Sequence, residues 1–134
     1  MTDNNKRTLA SCPGSPNCVS SLASVTSQQV KPFVLADSID KSWPALKALV
    51  LSLPRSKIIE DKPGYLHVEV RSLIFRFIDN LELAADAANK RVDVRSASVL
   101  GYSDLGVNRR RVETLRVLFQ EAGLLQADGS QGAQ

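Results

Sequence analysis

The chain has 134 residues, the length of about one domain, and 43% of them are hydrophobic and 23% charged. These proportions are ordinary for a globular protein, and no apolar run approaches the roughly 18 residues that a membrane span requires. The net charge of +3 argues only weakly for a nucleic acid or another polyanion as a partner.

The N-terminal region predicts an extended arm rather than a folded unit. Residues 1–31 are rich in Ser, Asn, Gln, Thr and Pro and have no usable period. The first eight residues, "MTDNNKRT", contain no signal-peptide segment, so we expect a cytoplasmic protein. Leu9 to Cys12 has the form of a lipoprotein cleavage box, and we expect an extracytoplasmic location if the true start lies upstream.

Residues 32–125 predict a single α+β domain whose first element is a helix from about Ile39 to Leu53. Its apolar residues recur at helical spacing and are Ile39, Trp43, Leu46, Val50 and Leu53. The candidate capping residues are Asp37, Ser38 and Asp40. Pro44 favours the first turn and predicts a regular helix starting near Lys41, and Pro54 ends it.

Four strands are predicted next, in "SKIIED", "YLHVEV", "FRFIDNLEL" and "RVDVRS". The alternation points one set of side chains inward, namely Leu66, Val68, Val70, Phe75, Phe77, Val92 and Val94. Asp79-Asn80 predicts a bulge. The connections are short, and short links join antiparallel neighbours, so we expect a four-stranded meander.

The last predicted element is a helix from about Asn108 to Ala122, with Asn108 as N-cap and Gly123 as C-cap. Its apolar face comprises Val112, Leu115, Leu118, Phe119 and Ala122. We expect both helices to pack on one sheet face, in the order α-β-β-β-β-α. The other sheet face would carry polar side chains, namely His67, Glu69, Arg71, Asp93 and Arg95. Residues 126–134, "QADGSQGAQ", predict a disordered tail.

The stretch "SASVLGYSDLGVNRRR", residues 96–111, brings three arginines to a helix N-terminus. The helix dipole disfavours each cation there by roughly 0.3–1 kcal/mol, so a negative group should offset them. The candidates are Asp104, Asp79, Glu82 and a bound anion.

Helical geometry separates these arginines. Arg111 lies within about 40° of the centre of the apolar face, whereas Arg109 and Arg110 are turned about 120–140° away from it. Arg111 is therefore expected to run under the fold and to need a partner. Arg110 is expected in solvent, and Arg109 is placed to pair with Glu113 at i+4. Two interpretations of Arg111 remain open, a structural pair with a carboxylate and an anion-binding pocket.

Three segments resemble the domain-of-unknown-function family 1499. They are "CPGSPNCVSS", "VEVRSLIFRFIDN" and "VDVRSASVLGYSDLGVNRRRVETLR", and the resemblance covers most of residues 12–119. It implies a small α+β domain found in bacteria and plant plastids, often with an upstream membrane or export segment, and no established activity. The family pattern has a second acidic residue after Asp79, whereas this chain has Asn80, which counts against a paired-carboxylate or metal site there.

The residue inventory weighs against several chemistries. A zinc site needs about four ligands, and only Cys12, Cys18 and His67 offer nitrogen or sulfur, so no metal or cofactor is predicted. A Cys–His nucleophile pair would require the arm to reach His67. For the cysteines we favour a redox-dependent disulfide, because Pro-Gly turns the chain between them, with two reduced thiols as the alternative.

Two functions from different classes remain. The first is a non-enzymatic domain that binds a small anion or a protein partner at residues 96–111. The second is an enzyme of unspecified reaction whose polar constellation would be Asp79, Asp104, His67, Arg95 and Arg111. Weak nucleic-acid binding ranks behind both, because aromatic platforms are few. The candidate ligand-binding residues are Arg71, Asp79, Arg95, Ser96, Ser98, Tyr102, Asp104, Asn108, Arg109 and Arg111.

Overall fold

A computed structural model of the chain describes residues 9–72, 77–99 and 106–127. The strands in this part are β1 (Cys18–Ser20), β2 (Phe33–Val34), β3 (Ser56–Lys62), β4 (Tyr65–Arg71), β5 (Ile78–Asp86) and β6 (Arg91–Ser98). The helices are α1 (Ile39–Leu51) and α2 (Val107–Glu121), with short 3-10 turns at Thr26–Gln28 and Ala87–Asn89. The α+β class is therefore as the sequence predicts.

Within the described residues the antiparallel sheet has six strands rather than the predicted four. The predicted meander is present as β6-β5-β4-β3, and both β1 and β2 pair with the outer edge of β6. Cys18 faces Ala97 in this register, and Phe33 faces Val92. The two additional strands are three and two residues long, too short for the alternation that reveals a strand in a sequence.

Both helices pack on one face of the sheet and share one core. Leu46 and Val50 of α1 and Leu115 and Phe119 of α2 are fully buried in it. The strands contribute alternate residues to the same core, namely Leu66, Val68, Val70, Leu81, Leu83, Val92 and Val94. Phe33 of β2 packs edge-to-face on Phe119 with ring centroids 4.9 Å apart, so the short strand is anchored by its side chain.

The helix ends differ from the prediction in detail. The side chain of Ser38 caps α1 by accepting from the Lys41 amide at 3.2 Å, so the helix begins at Ile39 and Pro44 lies inside it. The expectation of a start near Lys41 was therefore wrong, because a good cap and the burial of Ile39 outweigh the preference of proline for the first turn. Gly123 follows the end of α2 with a left-handed φ of 75°, as a C-terminal glycine does.

Two strand predictions were wrong. Asp79 and Asn80 pair in regular register on both sides, and the bulge lies instead in β3, between Ile58 and Glu60. Phe77 is 54% exposed rather than inward, and it lies before the first residue of β5. Phe75 lies outside the described residues.

The chain after α2 returns to the start of the domain. Leu125 bridges to Leu35, and the Gln126 amide donates to the Val34 carbonyl at 2.9 Å. Residues 128–134 of the predicted tail lie outside the described part of the chain.

Candidate functional site

A polar cluster lies at one end of the otherwise apolar sheet face that the helices cover. The register places Asp79 opposite Ser98 and Leu81 opposite Ser96, so the polar side chains follow the same alternation as the core residues. Helix α2 brings Asn108 and Arg111 over this end. These five residues, Asp79, Ser96, Ser98, Asn108 and Arg111, are members of the predicted site set that the fold does bring together.

Arg111 is held by three groups in this cluster. Its Nη2 donates to Asp79 Oδ2 at 2.7 Å, and its Nη1 donates to Ser96 Oγ at 3.0 Å and to Asn108 Oδ1 at 2.8 Å. The Arg111 and Asp79 side chains are only 10% and 8% exposed. The prediction that Arg111 turns under the fold and bonds to an acid is therefore confirmed, with Asp79 as its partner.

Asn108 connects three parts of the fold. It is fully buried, its Nδ2 donates to the Asn17 carbonyl and to Ser98 Oγ, and its Oδ1 accepts from Ser96 Oγ at 2.7 Å. It was predicted as the N-cap of α2, which is wrong. Gly106 is the N-cap, with a left-handed φ of 81°. Asn108 is therefore the second residue of the helix, and it lies on the buried face one turn before Val112.

Two other arginines of α2, Arg109 and Arg116, hold the arm. Arg109 donates to the carbonyls of Ser27 and Gln29 at 2.7 and 2.8 Å, so the predicted Arg109–Glu113 pair was wrong. Glu113 bonds instead to Arg116 at 2.8 Å. Arg116 also donates to the backbone of 31–32 and lies over the Phe33 ring, 4.8 Å from its centroid. Helical spacing predicts only partners on the same helix, and it gave no signal for these carbonyls.

A shallow pocket of about 230 Å³, open to solvent, lies beside Arg111, between the end of α1 and the start of α2. We call it the arginine cavity. Its lining comprises Leu53, Pro54, Arg55, Val70, Val107, Arg110, Arg111 and Thr114. Among these described residues three are arginines and none is acidic. Arg55 was absent from the predicted set, and it reaches the cavity from the loop before β3, where its Nε donates to the Arg71 carbonyl at 2.9 Å.

The sheet separates two predicted residues from this cluster. Arg71 and Arg95 alternate with core residues and therefore lie on the opposite face. There Arg95 Nη1 contacts Glu82 Oε1 at 3.3 Å and its Nη2 contacts the Ser11 carbonyl at 3.4 Å. Within the described chain its Nε is buried without a hydrogen-bond partner.

Other polar side chains of this opposite face are also paired. Tyr65 donates to Glu82 at 2.5 Å, and His67 Nε2 lies 2.8 Å from Asn80 Oδ1. His67 is thus on the other side of the sheet from Asp79 and Arg111, and these members of the proposed catalytic constellation do not converge. Tyr102 and Asp104 lie outside the described residues.

The cysteine motif attaches the arm to the sheet. Cys12 and Cys18 form a disulfide with Cα atoms 5.7 Å apart, so the predicted pairing is present. Cys18 is buried in β1, and Gln28 closes the loop by donating from Nε2 to the carbonyls of Pro13 and Ser15. Residues 9–31 of the arm are thereby held against the rest of the domain, with β1 paired to β6.

Two further properties concern only residues 9–72, 77–99 and 106–127. No three His, Cys, Asp or Glu side chains in these ranges converge in a way that would hold a metal ion. No helix in them is both long and apolar enough to cross a membrane.

Comparison with known families agrees with the motifs. A family model described as "Protein of unknown function (DUF1499)" matches residues 8–119, and the chain belongs to this family. No curated protein and no solved structure matches the chain.

Proposed function

We propose that this member of the DUF1499 family is a binding domain that takes a small anion at the arginine cavity. The observation that carries the proposal is the lining, in which three of the eight residues, Arg55, Arg110 and Arg111, are arginines. The proposal is binding rather than catalysis because the charged groups of this lining are all guanidinium groups, which donate hydrogen bonds and accept none.

The setting of Arg111 supports an anion site. Three of its five N–H donors are used by Asp79, Ser96 and Asn108 in the described structure, and these bonds hold the guanidinium in one orientation. A donor that is already ordered loses little side-chain entropy when it binds a ligand. The planar fork also matches a carboxylate or phosphate in a way that lysine does not.

The position at the start of α2 adds a second attraction. The N-terminus of a helix carries partial positive charge, and Val107, the first residue of α2, lines the cavity together with Arg110 and Arg111. A bound anion at this end of α2 would therefore interact favourably with the helix dipole.

Thermal unfolding in the presence of anions tests the proposal. Acetate, phosphate and sulfate should raise the melting temperature at constant ionic strength. At one hundred times the Kd, binding adds about 2.7 kcal/mol to the free energy of unfolding. Sulfate stabilises many proteins by exclusion from their surface, so the decisive readout is a comparison of variants. Arg55→Gln and Arg110→Gln should each lose most of the shift relative to their own anion-free baseline.

Lys41→Gln is the matched control. It removes one positive charge near the first turn of α1, about 15 Å along the helix axis from the last residue of α1, beyond which Leu53 lines the cavity. This control should keep the full anion response. Equal responses from the control and both arginine variants would mean a general salt effect and would refute the proposed site, as would the lack of any response in the unaltered chain.

A further inference from the structure

The first described residues of the arm lie on the sheet face opposite the helices. Leu9 is only 6% exposed and packs with Tyr65 and Ala84, which face each other across β4 and β5. Both of these side chains alternate with core residues of their strands, so Leu9 covers the face that the helices leave open. We call residues 9–12 the strap.

The strap ends at the disulfide, on the outer edge of the sheet. The Ser11 carbonyl accepts from Arg95 of β6, and Cys12 is bonded to Cys18 of β1, the strand beside β6. Three residue steps span about 10 Å, or two strand spacings, which is the distance from β5 to β1. An apolar contact therefore holds the first residue of the strap, and a covalent bond holds the last.

The non-covalent contacts of the strap are weak. The bond from Arg95 to the Ser11 carbonyl is long, at 3.4 Å, and within the described residues Nε of the same guanidinium is buried without a partner. The cost of one unpaired buried donor is similar in size to the gain from burying one leucine. A cavity of about 120 Å³ also lies between the strap and residues 20–28, so the strap is not tightly packed on that side.

We propose that Cys12–Cys18 is a redox switch, which holds the strap on the sheet when it is oxidised and releases it when a dithiol reduces it. The first thiolate of the dithiol attacks Sγ of Cys12 and expels the thiolate of Cys18. The second thiolate attacks the mixed disulfide, frees Cys12 and leaves the reductant as a disulfide, while its two protons go to the cysteines. Cys12 is the accessible sulfur, because it is half-buried and Cys18 is 1% exposed.

Reduction moves the point at which the chain before β1 is fixed. The disulfide fixes the chain three residues after Leu9, whereas β1 begins nine residues after it, at Cys18. The local concentration of Leu9 at its site falls with the 3/2 power of the tether length, roughly fivefold. Gln28 also holds this tether, through the carbonyls of Pro13 and Ser15, so removal of its side chain should increase the release.

Release of the strap changes one face of the sheet and leaves the other as it is. Water reaches Nε of Arg95, while Glu82 remains its acidic partner. On the helix side the Asn17 carbonyl keeps its bonds to Asn108 and to the Ser98 amide, because these lie beyond the strap. The switch is therefore local, and it does not depend on the proposed anion site.

Solvent shielding of methyl groups in the full-length ¹³C-labelled chain tests the switch. A neutral gadolinium chelate in solution relaxes exposed groups, and the reporters are the methyl signals of Leu9 and Ala84. Reduction with dithiothreitol should raise the ratio of released to docked strap roughly fivefold, and Gln28→Ala should raise it further. The methyl signals of Leu115, which is fully buried in the core, should stay shielded in both states.

A pair of serine variants separates the disulfide from the sequence of the strap. Cys12→Ser should show the released strap without reductant, and dithiothreitol should add nothing to this release. Ala10→Ser is the matched control, since it places the same side chain in the strap and leaves the disulfide intact. Its strap should stay docked, and amide hydrogen exchange in β4 and β5 should be the same for both variants and the unaltered chain.

Four results would overturn the switch. Leu9 and Ala84 could stay shielded after reduction, or dithiothreitol could fail to reduce the disulfide while the chain is folded. Equal exposure in Ala10→Ser and Cys12→Ser would assign the release to the sequence of the strap rather than to the disulfide. Faster hydrogen exchange in β4 and β5 on reduction would mean that the whole domain loosens, which contradicts a local release.

Discussion

The buried Arg111–Asp79 pair gives the sharpest prediction about stability. Arg111→Ala leaves the Asp79 carboxylate without its cation at a position where its side chain is 8% exposed. Breaking a buried pair in this way costs about 3–5 kcal/mol, and the lost bonds to Ser96 and Asn108 are part of that figure. Arg110→Ala, an exposed change one position away, should cost less than about 1 kcal/mol.

Urea unfolding followed by circular dichroism measures both costs. With an m value of about 1.5 kcal/mol per molar, the Arg111→Ala midpoint should fall by roughly 2–3 M. Asp79→Asn removes the buried charge, so the double variant should be more stable than the sum of the two single losses predicts. Equal losses for Arg111→Ala and Arg110→Ala would refute the geometric argument. A double variant with strictly additive losses would refute the ion pair as its cause. If Arg111→Ala does not fold, the same cycle with Arg111→Lys tests the pair.

Three further predictions concern the attachment of the arm. Reduction of Cys12–Cys18 should lower stability by about 2–3 kcal/mol, and alkylation mass spectrometry on protein from its host should find no free thiol before reduction; two alkylated thiols at that stage would rule out the disulfide. Arg116→Ala should speed hydrogen exchange in the arm while β4 and β5 keep their protection, and an unchanged arm would show that the carbonyl bonds contribute nothing. Asn108→Ala should cost about 2–3 kcal/mol, since it removes the bonds that Asn108 makes with Ser96, Ser98 and Arg111 inside the cluster, and a cost below that of Arg110→Ala would contradict its central place there.

The sequence alone was sufficient for the elements whose signal is local and periodic. The meander β3 to β6 and both helices follow from residue spacing, because burial of one face imposes a period of two on a strand and of 3.6 on a helix. The inward turn of Arg111 follows from the same rule, since its angle on α2 is set by its distance from Leu115 along the chain. The cysteine pairing was also predictable, because only five residues lie between Cys12 and Cys18 and Pro13-Gly14 turns the chain back, which keeps the two cysteines close.

The tertiary structure alone decided which distant groups meet. Strands β1 and β2 are too short to show the alternation of apolar and polar residues that marks a strand. They form because they pair with the free edge of β6 and because Phe33 packs on Phe119. Arg109 and Arg116 bond to backbone carbonyls, which every residue carries, so no side-chain pattern in the sequence points to them.

The candidate site shows the same division. Arg111 pairs with Asp79 rather than with another acid because of the register of β5 against β6. Arg55 lies at the arginine cavity because of the path of the loop between α1 and β3. Sequence spacing determines the face on which a side chain lies, because the backbone repeats are intrinsic to each element. The packing of elements determines what that side chain touches, because those contacts join residues that are remote in the chain.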